Sequence, residues 1–232
     1  MSTDVLNYIL PDEAWAQEFH MEVAGGGQPI YTLLQDKTIW LMKGAQGYPW
    51  DTLTFDEDYI YQSITDIDSP LVSGGSTSWT DPSMFKMFAS ASWPGANGGI
   101  AWMPRYLAGE NVPVETSDST YRSYSACGKF TTANLGGPIQ TKVEGPYALS
   151  LVIPNFGTDI APTTPCIVQS YIWGLDGETL EQNVYALGYG LVRWTTSNLV
   201  NGVYVLQQTS LFNTLTPGGA PQPNFPCGVP TI

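Results

Sequence analysis

The chain has 232 residues, of which 43% are hydrophobic and only 12% charged, and its 8 Lys and Arg face 21 Asp and Glu for a formal net charge of −13. A surface so poor in cations repels phosphate, which argues against nucleic acid as a partner and against an anionic membrane surface. No segment approaches the roughly 18 consecutive apolar residues of a spanning helix, so membrane insertion is not expected, while the apolar share suffices for a packed core.

Residues 1–28 read as an N-terminal arm with a short helix over DEAWAQEFH (12–20), preceded by Pro11. The opening MSTDVLNYILPDE has neither a basic stretch nor a long apolar one, so it does not read as a leader peptide. Solubility rests instead on uncharged polar residues amid many aromatics. That composition points to an extracellular or periplasmic protein whose leader has been removed.

Strands follow at PIYTLLQ (29–35) and TIWLMK (38–43). GYPW (47–50) reads as a turn, and FDED (55–58) as an acidic turn into the strand DYIYQSITD (58–66). A second short helix is expected at TDPSMFKMFAS (80–90), where Asp81 can cap and Pro82 takes the first helical position. Further strands are GIAWMP (99–104), TYRSYSA (120–126), PIQTKVEG (138–145), YALSLVI (147–153), CIVQSYIW (166–173), NVYAL (183–187) and GLVRWTT (190–196). Asn201-Gly202, between β-branched runs, is a hairpin signal, because both residues tolerate the positive φ of a type I′ turn. Neither face of that hairpin is cleanly polar, so both faces are expected to be at least partly covered. Gly (24) and Pro (18) punctuate the whole chain, the spacing of many short strands. The expected fold is mainly β: one antiparallel β-sandwich or jelly-roll domain over 1–232, with one or two short accessory helices and a Pro/Gly-rich tail at 214–232.

Cys127, Cys166 and Cys227 form no CxxC pair, which argues against a zinc knuckle. A Cys166–Cys227 bridge would tether the tail; the alternative is three buried free thiols. The single His, His20, lies near no GxSxG elbow, and no glycine-rich loop follows a strand-to-helix pattern. Acyl-transfer relays and nucleotide binding therefore lack support, and His20 reads as structural.

Aromatics are the abundant resource, with 8 Trp, 13 Tyr and 8 Phe. Tyr48, Trp50, Trp79, Trp93 and Trp102 adjoin or lie close to Gly, Pro or Ser, which places them near loop tips, with Asp51 and Arg105 as polar neighbours. An exposed indole stacks on the C–H face of a pyranose while acids and amides bind its hydroxyls, so these seven residues form the candidate ligand-binding set. Neutral carbohydrate is the expected ligand, and at least two of the four Trp should face solvent. A glycoside hydrolase on the same fold is the alternative, because it needs two carboxylates about 5–9.5 Å apart. Candidates are Asp56 with Asp58, Asp66 with Asp68, Glu178 with Glu181, Glu144, and Asp51. Asp56 and Asp58 are equally the candidate ligands for Ca²⁺, against the plainer reading of a solvated acidic turn. A polysaccharide lyase suits the charge less well, since a polyuronate would be repelled. A third reading is a structural or self-assembling extracellular protein whose uncharged aromatic faces join subunits. Arg105, in MPRY, is placed to stack on a ring or to fork a carboxylate, whereas Arg193 reads as structural.

Overall fold

The computed structural model describes residues 2–12, 19–23, 29–43, 47–66, 85–89, 99–107, 114–116, 120–125, 129–134, 139–156, 159–173, 177–217 and 220–223. In chain order, β1 (Thr3–Asp4) leads into α1 (Leu6–Ile9), followed by β2 (Phe19–Val23), β3 (Pro29–Gln35), β4 (Thr38–Lys43), β5 (Tyr48–Phe55) and β6 (Tyr59–Asp66). Then come β7 (Phe85–Ala89), β8 (Ile100–Pro104), β9 (Tyr106–Leu107), β10 (Val114–Thr116), β11 (Thr120–Ser125) and β12 (Lys129–Asn134). The last part holds β13 (Ile139–Ala148), α2 (Leu149–Val152), β14 (Pro165–Trp173), β15 (Thr179–Ala186), β16 (Gly190–Val200) and β17 (Val203–Pro217).

The molecule is mainly β and its strand pairs are antiparallel, as the turn spacing indicates. One sheet runs β10-β13-β14-β15-β16-β17-β2-β3-β4-β5-β6-β7-β11-β12, with β8 also on β6, and β1 and β9 form a separate pair. Two meanders, β13 to β17 and β2 to β6, are thus stitched together by β17 and β2. The long sheet folds back so that its halves face one another as sandwich layers. Ile39, Leu41, Leu53 and Ile60 from one half share a single core with Ile139, Val143, Ile167 and Val184 from the other. β8 closes the arrangement by lying against β10 and β13.

Two local expectations are overturned. Phe19 and His20 are not helical; they open β2, which pairs with Pro217 and Thr216 of β17. Phe85–Ala89 is likewise a strand, held between β6 and β11. In both places long-range pairing overrides a local helical signal. The N-terminal helix lies earlier, at Leu6–Ile9, where Asp4 Oδ1 accepts the Leu6 N–H at 3.0 Å and Pro11 follows the extended Leu10. It packs against β15 and β16, and Asn7 O accepts the Gly188 N–H at 3.3 Å.

YALSLVI also divides: Tyr147 and Ala148 finish β13, and α2 begins. The Leu149 and Ser150 amides bond the carbonyls of Thr164 and Pro162 at 2.9 Å, so the backbone turns to a loop instead of a strand. GYPW is not a turn beyond Gly47, because Tyr48, Pro49 and Trp50 already belong to β5. The Asn201-Gly202 turn has φ of 53° and 79°, the type I′ signature. Its faces, expected to be at least partly covered, are exposed toward the tip. Cys166 is a buried free thiol, so the Cys166–Cys227 bridge does not form, and burial pushes its pKa up to about 11. Cys127 and Cys227 lie outside the described residues.

Candidate functional site

Residues opposite one another in register point to the same face of a sheet. Gln169 pairs with Asn183, Tyr171 with Glu181 and with Thr141, and Asn183 also with Trp194. One inward face of β13 to β16 therefore carries a row of amides, hydroxyls, aromatics and one acid in place of uniform aliphatic packing. Glu181 is its centre and is only 9% exposed. Trp173 Nε1 donates to its Oε1 at 2.8 Å, Trp194 Nε1 donates to its Oε2 at 2.7 Å, and the Tyr171 hydroxyl also donates to Oε2. Three donors from two strands, β14 and β16, converge on an acceptor-only group. Beside them, Asn183 Nδ2 donates to Gln169 Oε1 at 3.0 Å.

The facing layer contributes a second acid. Asp51 of β5 accepts the Gln62 Nε2 donor at 2.7 Å. Burial first, then the charges of Glu181 and Asp51, push the Tyr171 phenol well above its ordinary range, so it stays a proton donor to Glu181. Trp102 lies over Tyr171, with ring centroids 4.3 Å apart and planes at 54°. Within this region Gln62 Oε1, Gln169 Nε2 and Thr141 Oγ1 are buried and find no hydrogen-bond partner among the described residues.

The sequence-derived ligand set is only partly gathered here. Asp51 and Trp102 join the interior constellation, but Trp102 is no loop-tip ring: it sits inside β8 and is 3% exposed. GIAWMP is the strand read from sequence, but the loop-tip placement of Trp102 beside its turn residues is overturned, because pairing of Ile100, Ala101 and Met103 with β6 covers this strand. Tyr48 and Trp50 lie on β5 beside Asp51, their side chains outside the described positions; Trp79 and Trp93 lie outside the described residues. Among the carboxylate candidates, Glu178 is exposed and Glu144 pairs with Lys142 at 2.7 Å. Tyr171, Trp173, Trp194, Gln169, Asn183, Gln62 and Thr141 were not legible as a site, because only strand register brings them together. A signal was present in the alternating row Gln169, Tyr171, Trp173 within one strand.

Arg105 belongs to a different cluster. Its guanidinium forks Asp4, with Nε at 3.0 Å from Oδ1 and a terminal nitrogen at 3.1 Å from Oδ2, and donates to the Asp56 carbonyl at 2.8 Å. It also lies 5.1 Å from the Phe55 ring centroid and 5.4 Å from that of Tyr106. Both the stacking and the fork anticipated for it are present, here tying β1, the β8–β9 corner and the acidic turn together. Asp56 Oδ1 accepts the Asp58 and Tyr59 amides at 2.9 Å, and its Oδ2 accepts the Tyr61 hydroxyl at 2.6 Å. Asp58 is exposed in the same turn, and among the described residues no three His, Cys, Asp or Glu side chains gather as a cation cage.

Burial pushes the Asp56 carboxyl up, but the Tyr61 hydroxyl, the Tyr59 and Asp58 amides and the Arg105 charge outweigh it and hold it below the usual range. A depressed folded-state value contributes stability that is present above the unfolded value of about 3.9 and is lost as pH falls through the folded one. The melting temperature of Tyr61→Phe should therefore lie below wild type by a constant gap between about pH 5 and pH 9, and the gap should close in stronger acid. A gap unchanged down to about pH 2.5 would refute the assignment. Compared with known protein families, curated proteins and solved structures, the chain matches none.

Proposed function

We propose that the protein binds a neutral carbohydrate along the aromatic and amide face around Glu181, outside the cell or in a periplasm. The observation that carries this reading is the set of polar atoms on Gln62, Gln169 and Thr141 that have no partner among the described residues, beside the rings of Trp102, Tyr171, Trp173 and Trp194. A buried polar group left unpaired costs about 1–3 kcal/mol, and a sugar hydroxyl, donor and acceptor at once, satisfies any of the three. Pyranose C–H faces complement the partly exposed rings of Trp173 and Trp194. Net negative charge and the two inward acids favour a neutral glycan over an anionic one.

The test is a neutral-glycan array followed by calorimetry on the ligand found, with Trp173→Ala and Gln169→Leu alongside wild type. Each variant should weaken binding at least about tenfold, or about 1.4 kcal/mol. No neutral glycan bound, or affinity unmoved by both changes, would sink the proposal. The hydrolase reading is favoured by one further observation, that the charges of Asp51 and Glu181 both act on Tyr171. Reducing ends released by wild type and not by Asp51→Asn would turn the binding site into a catalytic one.

A further inference from the structure

The β16–β17 hairpin outgrows its neighbours. β15 follows β16 only as far as Asn198, opposite Thr179, and β2 follows β17 only over Phe212–Pro217. Over residues 203–211, β17 thus has β16 on one side and no paired strand among the described residues on the other. This open edge is apolar toward the tip: Val203 is 64% exposed, Leu206 59% and Val205 44%. Open edges are ordinarily blunted by Lys, Pro, inward charge or brevity, and residues 203–211 contain no Lys, no Pro and no charge. Only the bulge at Gln207, whose amide donates to the Val205 carbonyl at 2.9 Å, interrupts it.

Charge distribution selects the occupant. Arg193 is the last charged side chain of the sequence, so the whole arm is neutral in a chain whose net charge is −13. A cationic partner would be drawn to the acidic remainder and an anionic lipid surface would be repelled by it. A second copy meets like charge almost everywhere except at this arm. An edge with no strand beside it among the described residues calls for one, and the second copy supplies a strand of matching polarity and length.

We propose that the open edge of β17 is the interface between two copies of this chain. β17 of one protomer pairs antiparallel with β17 of its partner about a two-fold axis, joining the two sheets into one and covering Val203, Val205 and Leu206. This pairing is independent of the carbohydrate reading, since it uses the edge and tip of the hairpin and none of the residues around Glu181.

Sedimentation and light scattering of the full chain at up to about 100 μM should give twice the 25.2 kDa of one chain. Val203→Lys combined with Leu206→Lys should give a monomer with unchanged circular dichroism, because both positions are exposed. In wild type alone, hydrogen exchange at residues 203–211 should slow as protein concentration rises, which reads the same edge without any substitution. A monomeric wild type, a dimer that survives the double substitution, or exchange at 203–211 independent of concentration would overturn the proposal. A monomer that floats with neutral phosphatidylcholine vesicles would overturn it too, by giving the arm to lipid.

Discussion

Glu181→Gln should lower the stability of the fold by about 3 kcal/mol, one of the two largest effects expected from a single substitution here. The carboxylate accepts from Trp173, Trp194 and Tyr171 with two oxygens, and a glutamine has only one acceptor oxygen to offer them. Its amide hydrogens would point at an indole N–H or a phenol O–H, donor against donor. For a chain of this length the loss corresponds to a drop of roughly 6–12 °C in melting temperature. Tryptophan emission should shift as well, since two of the donors are indoles. Glu178→Gln makes the same chemical change at an exposed position and should stay within about 0.5 kcal/mol of wild type. Equal effects from the two substitutions would show that the buried carboxylate does not organise this face.

Gly99→Ala is the second large effect, and its cause is purely steric. Gly99 has φ of +104°, and a Cβ there would stand 2.8 Å from the Gln62 carbonyl oxygen and 3.2 Å from Ser63 Cα. Those neighbours are backbone of β6, which cannot move aside without loosening the pairing with β8. Backbone strain and overlap together should cost about 3 kcal/mol. Because β8 carries Trp102 onto Tyr171, the near-ultraviolet circular dichroism of the ring pair should weaken in parallel. Gly202→Ala is the matching control: its φ is +79°, but its Cβ would meet nothing within 4 Å, so only the conformational cost of about 1 kcal/mol remains. A Gly99 variant no worse than the Gly202 variant would contradict the packing described for β6 and β8.

Much of the architecture is legible in the amino-acid sequence. PIYTLLQ and TIWLMK are strands with the bounds read from sequence, and Asn201-Gly202 forms the turn its positive φ values require. Those features are local: alternation over a few residues and the backbone freedom of Asn and Gly are written in adjacent positions. The errors share the opposite character. FKMFA and FH become strands only because β6, β11 and β17 lie beside them, and that information sits roughly twenty to forty residues away for FKMFA and almost two hundred for FH. The site divides the same way. Asp51 and Glu181 stood among the weighed acids, but their convergence on Tyr171 depends on layers meeting across the core, which no residue spacing encodes. The strand GIAWMP is legible, but the exposure expected for Trp102 from the neighbouring Gly and Pro is not found, because its burial follows from a strand partner about forty positions earlier.

The stitch between β2 and β17 has a consequence for how the molecule is made. Phe19–Val23 pairs with Phe212–Pro217, so a segment near the start of the chain waits for one synthesised almost two hundred residues later. Until that strand emerges, β2 has no partner along this side and the two meanders are not joined. Contacts of such separation slow folding and leave apolar edges uncovered in the interval. Completion of the core is therefore a late, whole-chain event, and a ribosome stalled before β17 would hold two unjoined half-sheets.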